Sequence, residues 1–320
     1  MNNDWKTLTD KMQEGSVLAM SRLITKVENR EPGWLDAMQL IYGKIKRTPV
    51  IGLTGSPGAG KSTLTNEMTR VLYNMGLSVG IVAIDPSSPF TGGALLGDRL
   101  RMTDISTLEN VFLRSMATRG AMGGLSVAAR DVIKIIDAFG KDIILIETVG
   151  VGQDEVEVMR AADLVVVVCV PGQGDGIQAI KAGIMEIADI FVVNKADKDG
   201  SDQLVMELES MQMLIPDKAY KEVPVLKTIS TTGKGVEKFV ETLFVKLKEI
   251  RQEKSRQKNR IREELVELVE KEIERFLINK WDKDGSLEKG VNKIVAGEEN
   301  PYSIAQDMIS SIIKYRPSHK

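Results

Sequence analysis

The sequence predicts an α/β protein: a P-loop-type, doubly wound, mostly parallel sheet with helical extensions at both ends. Short Val- and Ile-rich runs recur between residues 48 and 230, helical segments separate them, and the two flanks change character. The runs are "PVIGLT", "SVGIVAID", "NVFLRSM", "DIILIET", "LVVVVCV", "DIFVVNK" and "VPVLKTIS". Near-continuous apolar strands separated by helices imply a sheet buried on both faces. With 320 residues and 42% hydrophobic content, the chain buries a substantial core.

Three segments follow in order. Residues 1–46 form an N-terminal helical segment, with helical spacing in "VLAMSRLITKVE" and "WLDAMQLIYGKI" and a break at Glu31-Pro32-Gly33. Residues 47–249 hold the strands. Residues 250–320 form a charged helical arm in which Ile261, Leu265, Leu268, Val269, Ile273 and Phe276 make one apolar stripe. Such a stripe packs either on its own domain or on another subunit.

Composition narrows the function. A net charge of −2 gives no electrostatic footprint for nucleic acid. The single cysteine, Cys169, lies inside the apolar run "LVVVVCV", which rules out an intrachain disulfide and points to a reducing compartment. The single histidine, His319, is one residue from the end of the sequence. A zinc centre or a Cys/His nucleophilic pair is therefore not expected. The first fifteen residues mix acids and bases without an apolar core, and no apolar run approaches the roughly 18 residues of a membrane span. A cytoplasmic protein without a membrane anchor is the expectation.

The chemistry begins at "VIGLTGSPGAGKST". An apolar strand runs into Gly55-x-x-x-x-Gly60-Lys61-Ser62, and a helical segment is expected from Thr63. Backbone N–H groups along Gly55, Ser56, Pro57, Gly58, Ala59, Gly60, Lys61, Ser62 and Thr63, proline excepted, would surround a phosphate chain. Lys61 would add a positive charge at the β and γ oxygens, and the Ser62 hydroxyl would bind Mg²⁺. The base is read further on. "DIFVVNKAD" places Asn194, Lys195 and Asp197 at a strand end, where a carboxylate accepts both N–H donors of guanine, a pair that adenine lacks. Ser230 and Thr231 in "TISTTGKGV" end the next run and are placed to close the pocket through backbone groups. "INKWDKDG" at 278–285 nearly repeats "VNKADKDG" at 193–200, but it follows a charged amphipathic helix, so Asp282 is expected to have no role in the base site.

In "IILIETVGVGQDEV", Glu147 ends the strand expected beside the phosphate loop, where a carboxylate can serve Mg²⁺. A strand that merely ends in a polar residue is the alternative. Thr148-Val149-Gly150 completes an E-x-x-G sequence, whose glycine N–H would sense the γ-phosphate. Lys61, Glu147 and Gly150 are thus the expected catalytic set. Val151 stands where related proteins carry a water-orienting glutamine, so slow intrinsic hydrolysis is expected.

The stretches "GLTGSPGAGKST", "AIDPSSPFTGGALLGDRLRM", "RSMATRGAMGGL", "ETVGVGQDEVEV", "VPGQGDGIQAIKAGI" and "VNKAD" stand in the order and at the spacing of one family. Over nearly its whole length the chain resembles the MeaB-type (ArgK-like) P-loop GTPases. The resemblance implies a GTP/GDP- and Mg²⁺-dependent switch that protects an adenosylcobalamin-dependent acyl-CoA mutase, methylmalonyl-CoA mutase or a relative, and gates its cofactor loading. It further implies a homodimer formed through the C-terminal arm, and Asp85 and Asp98 as additional acids of the Mg²⁺ site. By the same resemblance, an extra switch at 172–183, including Gln173, Asp175 and Lys181, would face the mutase. Two other readings are weighed. A metallochaperone of the urease or hydrogenase type would need ligands that one buried cysteine and one terminal histidine do not supply. A kinase would transfer the γ-phosphoryl to an acceptor, which the E-x-x-G sequence and guanine motif do not favour.

Overall fold

In the computed structural model, residues 3–85, 103–117, 124–148, 159, 161–172, 187–213 and 223–311 are described. Seven strands form one sheet in the order β3-β2-β4-β1-β5-β6-β7. They are β1 Val50–Gly55, β2 Val79–Asp85, β3 Val111–Ala117, β4 Ile143–Thr148, β5 Leu164–Cys169, β6 Ile190–Val193 and β7 Val225–Lys227. Every ladder between them is parallel. All seven apolar runs became strands, although β7 stops at Lys227, so Ser230 and Thr231 lie in the turn beyond it.

Helices cover both faces. Three N-terminal helices, α1 Asn3–Gln13, α2 Val17–Glu28 and α3 Trp34–Tyr42, precede β1, and α4 Lys61–Asn74 follows it. After the short α5 Thr103–Ser106 come α6 Gly124–Phe139, α7 Ser201–Met213 and α8 Val236–Gln252. One apolar cluster joins the N-terminal helices and α6 to one face of the sheet; the other joins α4 and α8 to the opposite face. Helix α1 lies within the segment expected to be helical but outside its two quoted stretches, and Trp5, Leu8, Thr9 and Met12 are buried at helical spacing. The N-terminal helices are tied down by polar contacts as well. Arg114 donates to Glu28 at 2.5 Å, Arg30 to Asp131 at 2.6 Å, and Gln13 Nε2 to the Ala138 carbonyl at 2.9 Å.

Aspartates set where strands begin. Asp142, just before β4, accepts the Ser78 N–H at 2.8 Å; Asp163, before β5, accepts the Val50 N–H at 2.9 Å; Asp189, before β6, accepts the Val165 N–H at 2.8 Å. Each satisfies a backbone donor that a parallel ladder leaves open at its start. Asp189 also receives a bidentate fork from Arg256 at 2.7 and 2.8 Å, and this partner raises the Arg256 pKa against the opposing effect of burial.

The chain divides into compact units at residues 1–256 and 257–320. Most of helix α9 Lys254–Asp284 lies in the second unit, with α10 Ser286–Val295 and α11 Pro301–Ser310. Helices α10 and α11 approach closely at Gly290, where a Cβ would stand 2.8 Å from Ile304. Along the α9 stripe, Leu265 is 60% exposed and Phe276 61%, whereas Leu268 is half-buried. Among the described residues, no helix is long and apolar enough to cross a membrane.

Candidate nucleotide site

The phosphate loop connects β1 to α4. A side chain is excluded at Gly55, because a Cβ there would come 2.2 Å from the Val168 carbonyl of the neighbouring strand. Gly60 takes a left-handed φ of 86° and caps α4, which therefore opens at Lys61, two residues earlier than expected. The N–H groups at that helix end and the aligned peptide dipoles favour an anion. Lys61 is buried, and its ammonium donates to the carbonyls of Gly55 at 2.7 Å and Ser56 at 3.0 Å, so the cation is held within the loop.

Glu147 is the last residue but one of β4, which lies between β1 and β2, and it is in register with Leu53 on one side and Ala83 on the other. It is 6% exposed, and its Oε1 accepts the Ser62 hydroxyl at 2.5 Å. The structure thus brings together the hydroxyl and the carboxylate expected at Mg²⁺. Two hard oxygens beside a phosphate cradle suit Mg²⁺, which takes one or two protein ligands and completes its shell with phosphate oxygens and water. Asp85 ends β2, next to β4. The Asp85 side chain, Asp98, Gly150, Gln173, Asp175 and Lys181 lie outside the described residues. Among those described, no group of three or more His, Cys, Asp or Glu is arranged to hold a metal ion.

The guanine motif meets the phosphate loop through side chains. Asn194, 1% exposed, donates from Nδ2 to the Ala59 carbonyl at 2.9 Å. Its Oδ1 accepts from the Ser230 hydroxyl at 2.7 Å, the Thr228 hydroxyl at 3.1 Å and the Ser230 N–H at 3.2 Å. Lys195 adopts a left-handed φ of 55° and donates to the Gly58 carbonyl at 2.8 Å. Asn194 and Lys195 therefore hold consecutive carbonyls of the phosphate loop, which leaves Asp197 as the exposed member of the three. Ser230 is buried at 3% and serves Asn194, whereas Thr231 is exposed on the turn. The turn is closed by the Ile229 N–H, which donates to the Lys234 carbonyl at 2.9 Å. Sequence reasoning missed Thr228, whose only signal was a hydroxyl two residues before Ser230 in the same turn. In the second copy, Asn279, Lys280 and Asp282 are inside α9, and this helix offers no loop in which a base could be read.

The chain is similar to known proteins. The family model described as "Methylmalonyl Co-A mutase-associated GTPase MeaB" matches residues 20–283. A protein of Pyrococcus abyssi whose name describes it as a GTPase is 44% identical over 317 residues, covering 96% of each chain. The Geobacillus kaustophilus "Fused isobutyryl-CoA mutase" is 35% identical over 235 residues, which are 69% of this chain and 22% of that protein. A crystal structure described as "LAO/AO transport system kinase" matches with a TM-score of 0.68 at 24% identity, covering 98% of both chains, and supports the fold. With its phosphate loop, guanine motif and full-length relatives in agreement, the chain belongs to the MeaB family of P-loop GTPases.

Proposed function

We propose that this GTPase is a switch that protects an adenosylcobalamin-dependent acyl-CoA mutase and gates its cofactor loading. The observation that carries the reading is the relationship to the fused isobutyryl-CoA mutase, in which a homologous segment occupies 22% of a single mutase chain. A segment that can be fused to a mutase can act beside one as a separate chain.

Ser62 and Glu147, with Asp85 and Asp98, would hold Mg²⁺, which when bound neutralises charge on the β and γ oxygens. Lys61 adds a cation there, and the Gly150 N–H senses the γ-phosphate. With Val151 in place of a water-orienting glutamine, basal turnover is slow, and the segment carrying Gln173, Asp175 and Lys181 faces the mutase and lets it complete the site. A second copy of the chain covers the exposed stripe of α9. A cytoplasmic setting fits Cys169, whose thiol burial pushes up to about 12, leaving it protonated and inert.

The test is GTP hydrolysis with and without saturating mutase. A part supplied in trans accelerates related GTPases by roughly 10³–10⁵, so a clear stimulation is expected, lost in Lys181→Ala while basal turnover persists. A mutase that binds and leaves the rate unchanged overturns the gating role.

A further inference from the structure

We infer that Thr54 and Thr148 are a positioning pair, which holds from behind the two strand ends that carry the phosphate loop and Glu147. This deepens the reading of the nucleotide site given above and rests on it. Thr148 is the last residue of β4, and its hydroxyl donates to that of Thr54 on β1 at 3.4 Å. The two residues are 0 and 1% exposed. Thr54 directly precedes Gly55, Thr148 directly follows Glu147, and Leu53 is in register with Glu147. The contact therefore joins two neighbouring strands at the level where both enter the site.

Successive side chains of a strand point to opposite faces of the sheet. Glu147 reaches Ser62 on the face where Leu53 packs with α4 and α8. Thr54 and Thr148 consequently point to the other face, where Ile146 and Val167 join the cluster of the N-terminal helices and α6. A strand end held in its plane by backbone bonds can still swivel about its own axis. A tether on the rear face removes that freedom and keeps the Glu147 carboxylate aimed at Ser62. Stability alone does not account for the pair. Ile146 and Val167 beside it are apolar, and valine has the shape of threonine without the cost of burying a hydroxyl. At 3.4 Å the bond is longer than the usual separation of about 2.7–2.8 Å between hydroxyls, so it returns little stability. A small displacement of a group that serves the reaction is, by contrast, costly in rate.

Valine exchange on the full-length protein, assayed with Mg²⁺, tests this. Thr54→Val or Thr148→Val alone removes one partner from a buried hydroxyl, whereas the double exchange removes both, so urea unfolding should weaken in the single variants and recover toward wild type in the double. A pair that served stability alone would recover its hydrolysis as well. For a positioning pair the double variant is expected to hydrolyse GTP about threefold to tenfold more slowly and to bind a non-hydrolysable GTP analogue more weakly, at unchanged GDP affinity. Thr54→Ser with Thr148→Ser, which keeps both hydroxyls, should restore the rate. If the double valine variant is too unstable to assay, Thr148→Val read on its folded fraction carries the same comparison. Hydrolysis at the wild-type rate overturns the inference, and so does a GDP affinity that falls in parallel with that for the analogue. Glu147→Ala separates it from the reading beneath it. If that variant hydrolyses GTP normally, the role of Glu147 falls and the pair's role with it; if it is impaired and the valine variants are not, only the pair's role falls.

Discussion

Residues 193–200, "VNKADKDG", and 278–285, "INKWDKDG", are almost the same sequence in two different structures. The first runs from the end of β6 into a loop in which Lys195 is left-handed. In the second, Ile278 to Asp284 are the last residues of α9. The shared letters are neutral, and what precedes them decides. Ile190-Phe191-Val192-Val193 pairs between β5 and β7, whereas the residues before Ile278 carry Glu, Lys and Arg around apolar positions at helical spacing. A motif therefore acquires chemistry only where tertiary structure delivers partners to it.

Deleting the shared asparagine breaks the comparison most strongly. Asn194→Ala strips the Ala59 carbonyl of its donor and leaves buried hydroxyls of Thr228 and Ser230 without their acceptor. A loss of about 2–4 kcal/mol in urea unfolding is expected, with weaker nucleotide binding. Asn279→Ala, on the surface of α9, is expected to change stability by no more than about 0.5 kcal/mol. Equal effects would mean that the Asn194 network contributes nothing. Next comes the carboxylate. Asp197→Asn should cost about 1–3 kcal/mol in GTP binding by calorimetry and shift preference toward xanthosine nucleotides, while Asp282→Asn leaves affinity unchanged.

The same contrast shows what the sequence could reveal. The seven strands were legible because each is an apolar run bounded by breakers, and Ser62 with Glu147 was legible because strand, loop and helix fix their relative places. The grip of Asn194 on Ala59 was not, since it joins residues 135 apart in the chain that only the folded sheet brings together. Asp142, Asp163 and Asp189 went unread for another reason. Each is one acid before an apolar run, and only the parallel register shows that its carboxylate meets an amide at or beside the start of a neighbouring strand. Helix α1 did carry a readable signal in Trp5, Leu8 and Met12, but a stretch so rich in polar residues gave no strong apolar face.

The two copies do agree at their last letter. Gly200 and Gly285 both adopt left-handed backbones, with φ of 83° and 70°, and neither is crowded: a Cβ at Gly200 would stand 3.8 Å from Pro171, and one at Gly285 would meet nothing within 4 Å. Alanine at either site should therefore cost only the backbone penalty of about 1 kcal/mol, read as similar shifts in thermal unfolding. A large loss at one site alone would show that the glycine there serves its surroundings rather than its own turn.

The smallest expected effect separates the acids just before those glycines. Asp284 accepts the Ser286 N–H at 2.9 Å and also the Ser286 hydroxyl. These bonds, the hydroxyl first, hold its carboxyl below the ordinary aspartate value of 3.8, with Lys280 and Lys289 adding a smaller pull. Because the folded pKa is depressed, the interaction contributes fully above the unfolded value and is lost as pH falls through the folded one. The group is on the surface, so salt screens the contribution of the lysines, while the hydrogen bonds to Ser286 persist. Carbon-detected NMR titration should place the Asp284 midpoint below 3.8, and Ser286→Ala should move it upward. An unmoved midpoint in that variant would assign the depression to the lysines, and added salt would then raise it.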